Sequence, residues 1–147
     1  MADRTESRIE VDAQPGEVLD VIADFEAYPD WTGAVRETEV LATNDRGFAR
    51  RVRFVLDAGA LRDTYTLEYE WDFDQDGLGI VSWELVDATI LKGMDGSYRL
   101  RRADEGTEVI YTLAVEVRMP MLGMLRRKAE KTIIETALNE LKKRVEG

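Results

Sequence analysis

The stretch DTYTLEYEWDF, Asp63 to Phe73, sets what this chain can fold into. Successive side chains of a strand point to opposite faces. Tyr65, Leu67, Tyr69 and Trp71 therefore share one face, and Thr64, Thr66, Glu68 and Glu70 share the other. TEVIYTLAVEV, Thr107 to Val117, does the same: Val109, Tyr111, Leu113, Val115 and Val117 oppose Glu108, Thr112 and Glu116. Such strands predict an antiparallel sheet with one wet face and one face that another element must cover.

Further strand signals are AVRETEVLA, FARRVRFVL, GIVSWELV and GSYRLRR, separated by the breakers TNDRG, DAGA, DQDG and ADEG. The DQDG and ADEG turns read as tight hairpins in which glycine supplies a positive φ. The middle of the chain is thus a meander of about six strands. SRIEVDA, Ser7 to Ala13, adds one at the start. Pro15 suits the first turn of a helix reaching about Ala23, with Val18, Leu19 and Ile22 on one face. Tyr28-Pro29 then ends any helical continuation, because the residue before proline is pushed out of the helical region.

The cover comes from the tail. From Pro120 to about Val145 the composition favours a helix, ~38 Å long for ~25 residues. Leu122, Leu125, Ala129, Ile133 and Ala137 form one apolar stripe, and Ile134, Leu138, Leu141 and Val145 a neighbouring one. The order of strand, helix, about six strands and long helix predicts an α+β fold, with a curved antiparallel sheet wrapped around a long C-terminal helix. A chain of 147 residues predicts one domain.

The chain contains no cysteine and no histidine, which excludes disulfides, thiolate zinc sites and histidine acid–base chemistry. No metal and no cofactor is expected. DFDQDG places oxygens at alternate positions but lacks the final glutamate of a calcium loop, so it reads as a hairpin turn. The net charge of -10 repels nucleic acid phosphates. No apolar run reaches the ~18 residues needed to cross a bilayer, and MADRTESRIEV lacks a signal segment. A cytoplasmic protein that does not bind nucleic acid is expected.

The segments VIADFEAYPDW, YEW, VSWEL, GSYRL and TEVIYTLAVEV running into PMLGMLRRK carry a resemblance over nearly the whole chain. The chain resembles the START-like (SRPBCC) superfamily with its helix-grip fold, and within it the polyketide cyclase/dehydrase branch. The resemblance implies a START-like domain over residues 1–147, with a deep apolar cavity between the long helix and the concave sheet face. DFEAYPDW would then be the turn where Tyr28 and Trp31 wall one end of that cavity.

Strand parity turns Tyr65, Tyr69, Trp71, Trp83, Tyr98 and Tyr111 toward the covered face, where each is either an ordinary core aromatic or part of a cavity wall. Buried tyrosine and tryptophan seek a polar partner for O–H and N–H. Around one cavity they would give an apolar wall with a few polar tips, suited to a flat or polycyclic ligand. Phe54 and Leu113 on the sheet, and Leu122, Leu125, Ala129 and Ile133 on the helix, complete the expected lining. Asp63 shares parity with Tyr65, and Arg50 with Phe48, Val52 and Phe54, so in that register both charges face inward near strand ends. Asp63 could then act as a base and Arg50 could polarise a carbonyl, with Tyr65 and Tyr69 as further catalytic candidates. The alternative puts both charges at the sheet rim in water.

In PMLGML the first helical turns are apolar nearly all round, and Arg126, Arg127 and Lys128 follow at once. Such a segment could open as a portal, make transient membrane-surface contact near Met121 and Met124, or pack under a loop. An exposed sheet edge allows a monomer or a homodimer.

These readings support binding or carriage of a hydrophobic small molecule: a lipid, an isoprenoid or a polyketide-like compound. The resemblance also implies a second reading, an enzyme of the polyketide cyclase/dehydrase (aromatase/cyclase) type acting on an aromatic or poly-β-ketone substrate. A third is a regulatory interaction module of the ribosome-association toxin type, which the acidic charge opposes unless the basic helix acts alone.

Overall fold

The computed structural model of the chain describes residues 4–57, 62–117 and 123–147, and for 123–125 the backbone alone. In chain order the elements are β1 (Thr5–Val11), α1 (Pro15–Ala23), α2 (Tyr28–Trp31), β2 (Val35–Thr43), β3 (Ala49–Asp57), β4 (Arg62–Phe73), β5 (Gly79–Ala88), β6 (Leu91–Arg102), β7 (Thr107–Val117) and α3 (Gly123–Glu146). The seven strands form one antiparallel sheet in the order β1-β7-β6-β5-β4-β3-β2. The meander from β2 to β7 follows chain order, and β1 closes it by pairing with β7. This curved sheet with its long C-terminal helix is the helix-grip architecture.

Alternation decides which face is covered. Along β4, Asp63, Tyr65, Leu67 and Tyr69 are buried while Arg62, Thr64 and Glu70 are exposed. Helix α3 makes its main contacts with β1, β7 and α1. Ile134, Leu138 and Leu141 are buried there and form its seat. One turn earlier on the same stripe lies Glu130, 1% exposed. Its carboxylate accepts the Thr5 hydroxyl at 2.7 Å and the Val115 backbone N–H at 2.6 Å, tying α3 to both β1 and β7.

The proline turn departs from expectation. The break falls at Asp24 (φ -89°, ψ 78°), after which a 3-10 turn over Phe25–Ala27 leads directly into α2. Pro29 sits in the first turn of α2, where its missing N–H leaves no hydrogen bond unmade. Strand β6 starts at Leu91, ahead of GSYRLRR. Its opening residues lack alternation, but Asp63 and the pairing with β7 hold them extended. In the DQDG turn Gly77 has φ +87°, as expected. Gly106 of ADEG has no positive φ; a Cβ there would collide with the Val11 carbonyl oxygen, so the constraint is close approach.

Candidate functional site

An apolar cavity of about 560 Å³ lies between the concave sheet face, the α2 turn and α3. The α3 seat lies over β1 and β7, so the sheet from β3 to β6 stands away from the helix and leaves this space. Ala129, Ile133 and Ala137 form the helical wall. Phe54, Tyr65, Tyr69, Trp83, Tyr98 and Tyr111 form the sheet wall. Tyr28 and Trp31 close one end.

The sheet wall is a continuous aromatic band. Phe54 stacks on Tyr65 at 5.4 Å between ring centroids, Tyr69 meets Trp83 at 5.7 Å, Trp83 meets Tyr98 at 5.4 Å and Tyr98 meets Tyr111 at 4.4 Å. Strand register builds it: Tyr69 is the cross-strand partner of Trp83, and Tyr98 of Tyr111. Aromatic cross-strand pairs stabilise a sheet face. Gly96, the partner of Trp83 on β6, lets the indole lie down across the strand; a Cβ there would come within 2.8 Å of the ring.

The polar tips behave differently from one another. The Tyr28 hydroxyl donates to the Ile22 carbonyl at 2.5 Å, which folds the α2 turn back on α1. The turn is also fixed to α3, because Glu140 accepts the Thr32 hydroxyl and the Gly33 N–H, each at 3.1 Å. The hydroxyls of Tyr65, Tyr69, Tyr98 and Tyr111 have no hydrogen-bond partner among the described residues. Trp31 and Trp83 carry buried indole N–H groups without a partner among the described residues. The indole N–H groups are sealed from the cavity, so it is the tyrosine hydroxyls that stand ready to bond a ligand.

Burial pushes the pKa of each of these tyrosines, and of Tyr28, well above the ordinary value, with neighbouring tyrosines adding to the effect for all but Tyr111. Desolvation disfavours the charged phenolate. The hydroxyls are neutral at physiological pH and act as donors or acceptors of hydrogen bonds, not as bases.

Asp63 and Arg50 end up apart from this space. Asp63 is buried and faces inward, but its oxygens accept the backbone N–H groups of Thr64 at 2.8 Å, Thr89 at 3.1 Å, Ile90 at 3.0 Å and Leu91 at 2.8 Å. That carboxylate organises the β5–β6 turn. Arg50 is exposed on the outer face and pairs with Glu68 at 3.4 Å, contrary to the inward register. Thr43 pairs with Ala49 and Ala42 with Arg51, so Arg50 is the extra residue of a bulge. A bulge shifts side-chain parity by one, and Ala49 takes the inward place.

Trp71 and Leu113 also lie outside the lining. Trp71 donates its indole N–H to the Ala49 carbonyl at 2.7 Å and stacks on Phe48 at 4.8 Å. Leu113 is fully buried in the core. Leu122 and Met121, and the side chains of Met124 and Leu125, lie outside the described residues. Residues the sequence reading missed include Leu67, Met94, Thr132 and Thr136 in the lining and the buried Glu130. Glu130 was legible as the fourth member of the stripe through Ile134, Leu138 and Leu141; its charge hid it. Among the described residues no group of acidic side chains is placed to hold a metal ion, and no helix is long and apolar enough to cross a membrane.

Residues 2–146 match the family described as polyketide cyclase / dehydrase and lipid transport. Among solved structures, the chain is similar to a START superfamily protein from Mycobacterium smegmatis, with a TM-score of 0.88, 19% identity and 97% of each chain covered. It is similar to the Zhui aromatase/cyclase from a Streptomyces species, with a TM-score of 0.77, 20% identity, and 99% of this chain and 94% of that one covered. A protein from Thermus thermophilus aligns with a TM-score of 0.78, 24% identity and 97% of each chain covered. No curated protein sequence matches the chain.

Proposed function

This chain belongs to the polyketide cyclase / dehydrase and lipid transport family, and on that premise we propose that its cavity binds and carries one hydrophobic small molecule bearing neutral oxygen atoms. The observation that carries this reading is a cavity of about 560 Å³ whose wall presents the unpartnered hydroxyls of Tyr65, Tyr69, Tyr98 and Tyr111. That volume lies within the range of small-molecule sites, and an apolar wall with few polar groups is their usual chemistry. Carbonyl or hydroxyl oxygens on the ligand would pair with hydroxyls that otherwise stay unmatched. A lipid, an isoprenoid quinone or a polyketide-like compound meets this description.

Native mass spectrometry of protein purified from its own host, followed by solvent extraction, tests the reading. The expected result is one bound molecule per chain that extracts as an oxygen-bearing apolar compound. A protein that is empty and also fails to bind apolar probes would overturn it.

A second reading, an aromatase/cyclase-type enzyme, is favoured by the same tyrosines. Neutral phenols can donate to an oxygen where negative charge develops, and a shaped cavity can hold a reactive chain folded. Catalysis would rest on Tyr65, Tyr69, Tyr98 and Tyr111, since Asp63 is saturated by backbone N–H groups and Arg50 faces outward. Phenylalanine at Tyr65, Tyr69, Tyr98 and Tyr111 together that left turnover of a poly-β-ketone intact would exclude it.

A further inference from the structure

Lys128 is the one charged side chain among the described residues lining the cavity. It is exposed at the rim on α3, one turn before Thr132, whose hydroxyl donates to the Lys128 carbonyl at 3.0 Å. It makes no ion pair among the described residues, in a chain with thirty acidic and twenty basic residues. Of the other α3 lysines, Lys131 pairs with Glu135 at 3.9 Å and Lys142 with Glu146 at 2.6 Å, both four residues apart, while Lys143 makes no ion pair among the described residues. At the corresponding positions after Lys128 stand Lys131 and Thr132, so the helix supplies no carboxylate partner there. Glu130, two residues on, is buried and engaged with Thr5 and Val115.

Behind Lys128 the described lining residues include no other cation. An anion inside would lose its hydration without gaining a counter-charge, which is costly. At the rim it keeps water on one side and meets an ammonium group beside an apolar wall, where the local dielectric strengthens the attraction. The protein as a whole is strongly acidic and repels anions, so affinity for one requires a local positive field. Arg126, two residues before Lys128 on the same helix, adds to the positive charge there.

We propose that the ligand is an amphiphile with a single anionic head group, a carboxylate or a phosphate monoester, held against the Lys128 ammonium group at the rim, while its largely apolar body fills the cavity and turns its neutral oxygen atoms to the tyrosine hydroxyls. This rests on the binding function proposed above and adds the ligand's charge and orientation. Lys128 is a specificity-determining residue in this arrangement.

Titration of dodecanoate, dodecyl phosphate and dodecanol into the wild-type protein and Lys128→Gln at low salt tests this, read by tryptophan fluorescence because Trp31 and Trp83 line the cavity. Dodecanol is expected to bind both proteins equally. Dodecanoate or dodecyl phosphate is expected to lose about two- to fivefold in affinity in Lys128→Gln, and more in Lys128→Glu, as for an exposed ion pair. The anion that loses more names the head group, and added salt should narrow the difference. Anion affinity unchanged by either substitution, with dodecanol still bound, would overturn the proposal and leave the cavity reading standing. Failure of all three probes to bind would remove the cavity reading and this proposal together.

Discussion

The Asp63 carboxylate accepts the Leu91 backbone N–H at 2.8 Å across 28 residues of chain. It accepts the N–H groups of Thr89 and Ile90 as well, so a single side chain at the start of β4 shapes the turn between β5 and β6. Asp63→Ala would leave these N–H groups without their acceptor in a largely buried place. The expected loss is about 3 kcal/mol, typical for removal of hydrogen bonds to a charged group. Asp63→Asn should lose roughly half, about 1.5 kcal/mol, because one amide oxygen still accepts. Equilibrium urea unfolding measures both. An alanine variant as stable as the wild type would show that the turn does not depend on this carboxylate.

Glu130 works in the same way on the helix. Its two oxygens serve Thr5 on β1 and Val115 on β7, so Glu130→Ala should cost about 2–4 kcal/mol from unmatched donors and a lost side-chain volume. Glu130→Gln should cost less, since its carbonyl oxygen can keep the Val115 contact. Combining Thr5→Ala with Glu130→Ala should cost less than the sum of the single changes, because the pair shares one interaction. Additive losses would place the effect of Glu130 elsewhere.

All five tyrosines are buried, and burial raises their pKa values in the folded state. Below the unfolded value near pH ~10 both states keep the phenolic protons and nothing changes. Above it the unfolded chain releases protons that the folded chain retains. Each tyrosine then lowers stability by ~1.4 kcal/mol per pH unit. Alkaline unfolding should therefore be abrupt, with tyrosinate absorbance and loss of far-ultraviolet circular dichroism rising together. Gradual formation of tyrosinate near pH ~10 in a protein that keeps its fold would contradict this burial.

Ala137 on α3 lines the cavity, and a larger side chain there points into vacant space. Ala137→Phe should change unfolding stability by no more than about 2 kcal/mol, the range usual for cavity-filling changes. It should weaken binding of an apolar probe such as dodecanol by at least an order of magnitude. Binding that persists at wild-type strength would place the probe outside this cavity.

Much of this architecture is written in local patterns. Alternation in β4, and a looser one in β7 where Ile110 and Ala114 are buried on the other face, predicts a half-buried sheet, because a strand has only two faces and the choice of residue on each is visible in sequence. The apolar stripe through Ile134, Leu138 and Leu141 likewise dictates that α3 lies on that sheet. The same parity turned Tyr65, Tyr69, Trp83, Tyr98 and Tyr111 to the covered side, and the structure brings them together around one space.

Other features depended on contacts between distant segments. One extra residue opposite β2 turned Arg50 outward, and nothing in the local pattern of β3 reports where a bulge falls, since pairing with the neighbouring strand decides it. Asp63 faces inward as its parity requires, but its saturation by Thr89, Ile90 and Leu91 is a property of a turn that the chain reaches only 26 residues later. The division between core and cavity was equally non-local. Trp71 and Leu113 share parity with the lining tyrosines and still lie outside the lining, because the seat of α3 on β1 and β7 fixes which part of the covered face is filled and which part is left open. Sequence determined the faces of the elements, since that depends on each residue and its near neighbours. Only the tertiary structure decided the distance between those faces, and with it the space that a ligand can occupy.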